Sequence, residues 1–194
     1  MIAVILTGGA SRRMGQPKAW LEVGGRSCIA RVRDACLEAG FGVEFQGALP
    51  GVREAFPDDD LHPDPEPGQG PLAALVAALS RHPGAPVLLL ACDMPFLSIP
   101  LLQAVAGALA EADWVAPTAG DRFHPLCAAY APAVLPPARA LVADGRRDMQ
   151  ALLRSPGLRG RALLPDPAWG DPDALLLNVN TPADLERARR LTAG

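Results

Sequence analysis

Two short stretches of the chain are apolar throughout, and they constrain the fold more than any other feature. Ile2–Leu6 and Val87–Ala91 contain only aliphatic residues, without the alternation of apolar and polar positions that marks a half-buried strand. Continuous runs of this kind are typical of parallel strands that are covered on both faces. Helical patterns lie between the predicted strands. The alternation favours an α/β fold of three α/β/α layers around a Rossmann-like, mostly parallel sheet.

Capping and turn signals predict the remaining elements. Ser27 is a candidate N-cap for a helix over Cys28–Ala39, and Pro71 occupies the first-turn position of a helix that ends near Arg81. Pro57–Gly70, rich in Pro and Asp, is predicted to be a loop that holds a solvated run of charge at Asp58–Asp60 and an ordinary loop residue, His62. The other predicted strands are Val43–Gln46, Trp114–Ala116, Leu126–Tyr130 and Leu175–Leu177. The other predicted helices are Ile99–Ala110, Ala133–Ala143, Asp148–Arg154 and Ala183–Leu191, the last capped by Thr181-Pro182.

Length and charge limit the possible functions. A chain of 194 residues suggests one domain over residues 1–194, and a net charge of −3 argues against a general binder of nucleic acid or anionic membranes. The N-terminal apolar run is too short for a signal peptide, and no stretch is long enough to span a membrane, so a cytoplasmic location is expected. Cys28, Cys36, Cys92 and Cys127 have neither C-x-x-C nor zinc spacing and are predicted to be reduced thiols.

Lys18 is the only lysine, whereas arginine occurs seventeen times. A lysine kept in such a composition suggests a task for a compact ammonium rather than a planar guanidinium, such as binding phosphate oxygens. The run before Lys18 fits this use. The first strand ends in Thr7-Gly8-Gly9, where backbone N–H groups can approach an anion, and Arg12 and Arg13 follow. The spacing matches neither the P-loop nor the dinucleotide fingerprint G-x-G-x-x-G.

Asp93 directly follows the strand Val87–Ala91 and Cys92. Ligands of open α/β sheets bind beyond the carboxyl ends of the strands, so Asp93 is expected at the same edge as Gly8 and Gly9. A carboxylate there can hold Mg²⁺ between nucleotide phosphates. The alternative is that Asp93 caps the turn before Pro95.

Asp64 lies six residues before the helix start Gly70-Pro71-Leu72. That turn exposes backbone groups to which a nucleotide can bind. The carboxylate of Asp64 can accept hydrogen bonds from guanine N1–H and from the exocyclic amine together, whereas cytosine offers no such pair of adjacent donors. The alternative is a solvated loop acid.

Asn178 and Asn180 occupy alternate positions after the last predicted strand, so their amides point to the same side. They bind a polar ligand or cap the final helix. Arg122 and His124 can add a cation and an imidazole to the same edge, although His124 is equally consistent with an ordinary loop residue, as His82 is with an ordinary helix-end residue. No Ser/His/Asp or Cys/His group is visible, so covalent catalysis is not expected.

The run from Leu6 to Lys18 resembles the signature L-x-G-G-x-S-x-R-M-G-x-x-K of nucleotidyltransferases with a GT-A-like fold. With Asp64, Gly70-Pro71-Leu72, Asp93-Met94-Pro95, Arg122–Pro125 and Asn178–Pro182, nearly the whole chain is similar to the molybdenum cofactor guanylyltransferases. Gly8-Gly9 stand where related molybdopterin cytidylyltransferases typically have Ala-Gly. Thr7 replaces a common Ala, and Gln46 stands where the family often has Asn.

The resemblance implies transfer of GMP from GTP to molybdopterin, the organic part of the molybdenum cofactor. It implies that Leu6, Thr7, Gly8, Gly9, Lys18, Gln46, Asp64, Gly70, Pro71, Leu72 and Asp93 bind GTP, with Asp93 as the Mg²⁺ ligand. Lys18, Asp93 and Arg12 or Arg13 would assist catalysis, and Arg122, His124, Asn178 and Asn180 would hold the acceptor. A transient molybdoenzyme or cofactor-delivery protein is an expected partner. Cytidylyl or sugar-phosphate transfer and a non-catalytic nucleotide-binding accessory role remain alternatives.

Overall fold

The computed structural model of the protein describes residues 1–8, 17–64 and 69–192, and its centre is a sheet between helices. The strands are β1 (Ile2–Leu6), β2 (Glu22–Val23), β3 (Arg26–Ser27), β4 (Gly42–Gln46), β5 (Asp60–His62), β6 (Val87–Ala91), β7 (Trp114–Ala119), β8 (Arg122–Phe123), β9 (Cys127–Tyr130) and β10 (Gly160–Leu163). The helices are α1 (Cys28–Glu38), α2 (Val52–Ala55), α3 (Gly70–Arg81), α4 (Ile99–Gly107), α5 (Leu135–Ala143), α6 (Met149–Leu153), α7 (Pro172–Leu175) and α8 (Pro182–Thr192).

The strand order is β10-β7-β9-β6-β1-β4-β5, and β8 pairs with the end of β7. The strands β6, β1, β4 and β5 run parallel, and β9 is antiparallel to both β6 and β7. β2 and β3 form a separate hairpin. The predicted mostly parallel sheet is therefore confirmed. β7 and β10 pair in parallel and run in the same direction as β6, so β9 is the antiparallel strand between them. The carboxyl ends of the parallel strands share one edge with the amino end of β9.

Alternate residues of the central strands are buried on opposite faces of the sheet. Ile5 and Leu90 pack with α1 and α4, whereas Val4 and Leu89 pack with α3, α5 and α6. This two-sided burial explains the continuous apolar runs, and the predicted three layers are confirmed. None of the described helices combines the length and the apolar composition needed to cross a bilayer.

The helix starts follow the predicted caps where a side chain can supply the missing hydrogen bond. The Ser27 hydroxyl accepts from the Ala30 N–H at the start of α1, and the Thr181 hydroxyl accepts from the Asp184 N–H at the start of α8. In return, Asp184 Oδ2 accepts from the Thr181 N–H at 2.8 Å. Such reciprocal bonds satisfy N–H groups that have no partner within the helix.

Three predictions about local structure were wrong. Leu175–Leu177 is not a strand: α7 occupies Pro172–Leu175, because the Asp171 carbonyl accepts from the Ala174 and Leu175 N–H groups. The predicted loop Pro57–Gly70 contains the edge strand β5, which pairs with β4, so His62 lies in a strand and is not the predicted loop residue. The Asp58–Asp60 run is not uniformly solvated, because Asp59 forms an ion pair with Arg33.

Candidate functional site

The carboxyl edge of the sheet borders a cavity of about 1020 Å³. It is lined by residues from β1, β4, β6 and β8, from the loops that follow β5 and β8, from the first turn of α3 and from the segment before α8. Of the predicted site residues, the lining includes Leu6, Gly8, Gln46, Asp64, Gly70, Pro71, Asp93, Arg122, His124, Asn178 and Asn180. A volume at the upper end of the range for ligand sites gives room for a nucleotide and a second substrate.

Lys18, Asp93 and Asn180 meet at the carboxyl end of β6. The Lys18 ammonium lies 3.8 Å from Asp93 Oδ2 and donates a hydrogen bond to Asn180 Oδ1. The Asp93 carbonyl accepts from the Val179 N–H at 2.9 Å, which fastens the segment that carries Asn180 to the loop after β6. The fold thus joins the N-terminal, central and C-terminal parts of the predicted site.

The carboxyl of Asp93 is in an electrostatically unusual place. Burial raises its pKa above the ordinary value, and the nearby Lys18 ammonium acts in the opposite direction. A half-buried carboxylate beside one cation offers an oxygen ligand whose negative charge a second cation would stabilise further. Asp93 is therefore well placed to interact with a divalent ion and with the phosphates that such an ion accompanies.

The thiols near this site are not nucleophiles at neutral pH. Burial raises the pKa values of Cys28 and Cys92 to about 12. All four cysteines are free, in line with the expected reduced thiols. Because the thiolate is the reactive form, the geometry favours a reaction without a covalent cysteine intermediate.

Asp64 lies against the glycine turn after β1. A Cβ atom added at Gly8 would come within 3.0 Å of Asp64 Oδ2. A Cβ added at Gly47 would lie 2.8 Å from the Gly8 N atom, and Gly47 has a φ of +132°. The close approach of these segments therefore requires glycine at Gly47 and leaves little room for a side chain at Gly8. The carboxylate of Asp64 sits at the β4–β5 end of the cavity, where base recognition was predicted.

Three residues predicted to bind nucleotide have their side chains engaged elsewhere. The Thr7 hydroxyl donates to the Gln46 carbonyl at 3.2 Å. The Leu72 side chain, on α3, is fully buried in the core between this helix and the sheet and does not line the cavity. The Gln46 amide borders the cavity, but it donates to the Pro63 carbonyl and accepts from Arg81. Any contact of these three with a nucleotide stays a prediction.

Arg122 and His124 lie at the opposite end of the cavity from Asp64, beside β7 and β9. Burial lowers the pKa of His124, and the neighbouring Arg122 lowers it further. The imidazole is thus neutral at pH 7, and Arg122 supplies the positive charge of this wall. Gln150 also lines the cavity, and its amide donates to the Phe123 carbonyl at 3.0 Å. Gln150 was not predicted, because a lone glutamine in a short helix carries no sequence signal.

The two asparagines are not the cap of α8, since Thr181 and Asp184 perform that role. Asn180 instead accepts from Lys18, and the Oδ1 atom of Asn178 is buried without a hydrogen-bond partner in the described part of the chain. Both side chains line the cavity. The arrangement favours the ligand-binding alternative over the capping alternative.

Gly9, Arg12 and Arg13 lie outside the described residues, so their predicted roles in phosphate binding stay predictions. A separate group of possible metal ligands lies on β4 and β5, where single ligand atoms of Glu44, Asp60 and His62 lie within 4.8 Å of one another. These residues do not line the cavity, and Arg81 already forms an ion pair with Glu44 at 3.2 Å. A metal ion there would compete with that guanidinium.

The model of the MobA-like NTP transferase domain matches residues 3–161. The fold and the site therefore define a nucleotidyltransferase.

Relatives and a solved structure agree on a narrower group. A probable molybdenum cofactor guanylyltransferase from Pelotomaculum thermopropionicum is 35% identical over 96% of this chain and 90% of its own length. The molybdenum cofactor guanylyltransferase from Rhizobium meliloti is 34% identical over 96% of this chain and 89% of its own length. The structure of molybdopterin-guanine dinucleotide biosynthesis protein A from Archaeoglobus fulgidus superposes with a TM-score of 0.82 at 26% identity, covering 100% of this chain and 99% of the other. The chain belongs to the molybdenum cofactor guanylyltransferase family, as the motifs predicted.

Proposed function

We propose that this chain transfers GMP from GTP to the terminal phosphate of molybdopterin and releases pyrophosphate. The observation that supports it best is the meeting of Lys18, Asp93 and Asn180 beside a cavity large enough for both substrates. The relatives support the choice of substrates. Three further features stay predictions. They are a single nucleotidyltransferase domain over residues 1–194, a cytoplasmic location and a protein that transiently receives the product.

The chemistry requires positioning more than proton transfer. A phosphate monoester has a second pKa of about 6 and is mostly dianionic at neutral pH, so its oxygen needs no general base. That oxygen attacks the α-phosphorus of GTP and forms the new P–O bond. The bond from the α-phosphorus to the bridging oxygen breaks, and its electron pair leaves with pyrophosphate. The barrier arises from repulsion between the anions and from their alignment.

Lys18 offsets the negative charge that develops on the phosphates, and Asn180 holds its ammonium in place. Arg12 and Arg13 are predicted to add positive charge. Asp93 would hold Mg²⁺, because it offers a half-buried carboxylate oxygen of the kind that this ion prefers. When bound, Mg²⁺ neutralises phosphate charge and orients the phosphate chain.

Asp64 selects guanine at one end of the cavity, and Arg122, His124, Asn178 and Asn180 bind the acceptor toward the other end. A neutral His124 contributes a hydrogen bond rather than a charge to this wall. Arg122 is then the cation of the wall that meets the acceptor phosphate.

Pyrophosphate release with molybdopterin, Mg²⁺ and each of the four nucleoside triphosphates tests this proposal. GTP is expected to support release and the other three to support little, because a site built for one pattern of donors rejects bases that leave its groups unpaired. Asp93→Asn should abolish the reaction in a folded protein. Preferential use of CTP would favour a cytidylyltransferase, and transfer to a sugar phosphate would favour that class. Binding of GTP without turnover would favour an accessory protein.

A further inference from the structure

A chain of polar contacts lies behind the cavity at the β4–β5 end of the sheet. We call Glu44, Gln46, Arg81 and His82 the edge network. Glu44 and Gln46 are two residues apart on β4, so both project toward α3, whose last residue is Arg81. Glu44 is 7% exposed and Gln46 is 0% exposed. Polar groups buried this deeply are costly unless they are hydrogen-bonded, so the contacts of the network matter.

Gln46 connects this network to the loop that carries Asp64. Its Nε2 atom donates to the Pro63 carbonyl at 2.6 Å, and its Oε1 atom accepts from Arg81 Nη1 at 2.7 Å. A carbonyl can only accept and a guanidinium can only donate, so these two partners fix which end of the amide faces which way. The amide of Gln46 is therefore held in one orientation between Arg81 and the residue before Asp64.

Arg81 is in turn held by a buried acid. Its Nη2 atom donates to Glu44 Oε2 at 3.2 Å, and Glu44 Oε1 lies 2.8 Å from His82 Nε2. The planar guanidinium thus serves a carboxylate and an amide at the same time, with two different nitrogens. A lysine ammonium does not reproduce this fork.

The contacts end at the cavity. Asp64 follows Pro63 directly, and its Oδ2 atom lies 3.0 Å from the position that a Cβ atom at Gly8 would take. The Gly47 N–H also donates to the His62 carbonyl at 2.9 Å, which holds the other side of the loop. Displacement of the Pro63 carbonyl would therefore move the carboxylate of Asp64 relative to the glycine turn.

We propose that Arg81 is a positioning residue for base recognition: through Gln46 and Pro63 it fixes the carboxylate of Asp64, and this indirect route sets the preference for guanine. Gln46 connects Arg81 to the Pro63 carbonyl through hydrogen bonds and does not contact the base directly. The inference rests on the proposed role of Asp64 in binding GTP.

A structural role alone predicts a different result from a positioning role. Arg81 Nε is buried with no hydrogen-bond partner in the described part of the protein. Arg81→Lys removes this unsatisfied group and keeps the charge beside Glu44, but it leaves the buried Gln46 Oε1 without its guanidinium partner. A purely structural role therefore predicts a lower free energy of unfolding and an unchanged preference between GTP and CTP. The positioning role predicts that the same variant loses much of its preference for GTP.

The test measures dissociation constants for GTP and for CTP by calorimetry, and KM and kcat for GTP, in matched variants. Arg81→Lys should weaken GTP binding about tenfold, the size expected for one lost hydrogen bond to a charged group, and leave CTP binding unchanged. Gln46→Glu should have the same effect, because a carboxylate still pairs with Arg81 but cannot donate to the Pro63 carbonyl. KM for GTP should rise while kcat changes less.

Arg33→Lys is the control. The side chains of Arg33 and Arg81 are 22% and 25% exposed, and Arg33 also pairs with an acid near β5, Asp59, without touching Gln46. It should leave both dissociation constants unchanged. In an Asp64→Ala background, Arg81→Lys should have no further effect on GTP binding.

The outcomes separate this inference from the proposed function. A wild-type protein that binds CTP as tightly as GTP overturns the proposed function, and the inference with it. A wild-type preference for GTP that survives both Arg81→Lys and Gln46→Glu overturns the inference alone. Equal weakening of GTP and CTP, or an undiminished effect in the Asp64→Ala background, also overturns it.

Discussion

Lys18 is the residue expected to stabilise the reacting phosphates most strongly by its charge. It is the only lysine, and its ammonium lies between the carboxylate of Asp93 and the amide of Asn180. An ammonium in that place can interact with phosphate oxygens as a point charge, which a guanidinium of different shape and reach does not duplicate.

Replacement of Lys18 should therefore slow the reaction without unfolding the protein. We expect Lys18→Ala to lower kcat by ~10²–10³, the typical effect of removing one preorganised electrostatic contact. Lys18→Arg should also impair turnover despite its retained charge. Steady-state kinetics with thermal unfolding of each variant make the check. An arginine variant with wild-type turnover would contradict the special role of the ammonium.

His124 gives the protein a predictable dependence on pH. Burial and Arg122 lower its pKa in the folded state below the ordinary histidine value of 6.5. The unfolded state then binds the proton more readily, so stability is lost as the pH falls below that value. His124→Gln removes this contribution, and the variant should lose less free energy of unfolding than the wild type between pH about 7.5 and about 5. Urea unfolding at both pH values measures it; equal losses would argue against a depressed pKa.

At the scale of elements, the sequence was most informative where burial and local chemistry agree. β1 and β6 are continuous apolar runs because both of their faces are covered, and α1 starts at the cap Ser27. These elements also place Gly8 and Asp93 at one edge of the sheet. The shared position of Gly8 and Asp93 was therefore predictable, because each residue follows a buried parallel strand.

Elements that depend on distant partners were not predictable. β5 lies within a segment rich in Pro and Asp, and it is a strand because β4 pairs with it. β10 has a glycine where the Trp114 ring approaches closely, which the local sequence does not reveal. Leu175 appears strand-like but belongs to α7. For the same reason, the contact between Arg81 and Gln46 had no signal: it joins residues 35 positions apart through tertiary packing.

The start of α8 connects helix capping to the site. Thr181→Ala removes the hydroxyl that accepts from the Asp184 N–H and should cost about 1 kcal/mol of stability. It should also lower kcat, because the same cap holds the backbone of Asn180, whose N–H donates to Asp184 at 3.0 Å. Ser27→Ala is the matched control, with a similar loss of stability at α1 and little loss of kcat. Equal kcat in the two variants would separate the cap from the chemistry.

At the scale of the whole molecule, the sheet brings distant parts of the chain to one cavity. Gly8 and Lys18 come from the N-terminal part, Asp64 and Asp93 from the middle, and Asn180 from the C-terminal part. β6 lies between the strands that end near Asp64 and those that end near Arg122. This order places Asp93 between the predicted base end and the predicted acceptor end, where the α-phosphate must react.

The central claim is transfer of the GMP unit, and the fate of labelled phosphorus tests it most directly. With molybdopterin and Mg²⁺, label in the α-phosphate of GTP should appear in the dinucleotide product, and label in the γ-phosphate should appear only in pyrophosphate. Labelled dinucleotide and labelled pyrophosphate should both be absent with the Asp93→Asn variant. Appearance of the γ-label in the acceptor, or of the α-label in free GDP, would show phosphoryl transfer or hydrolysis and contradict the account.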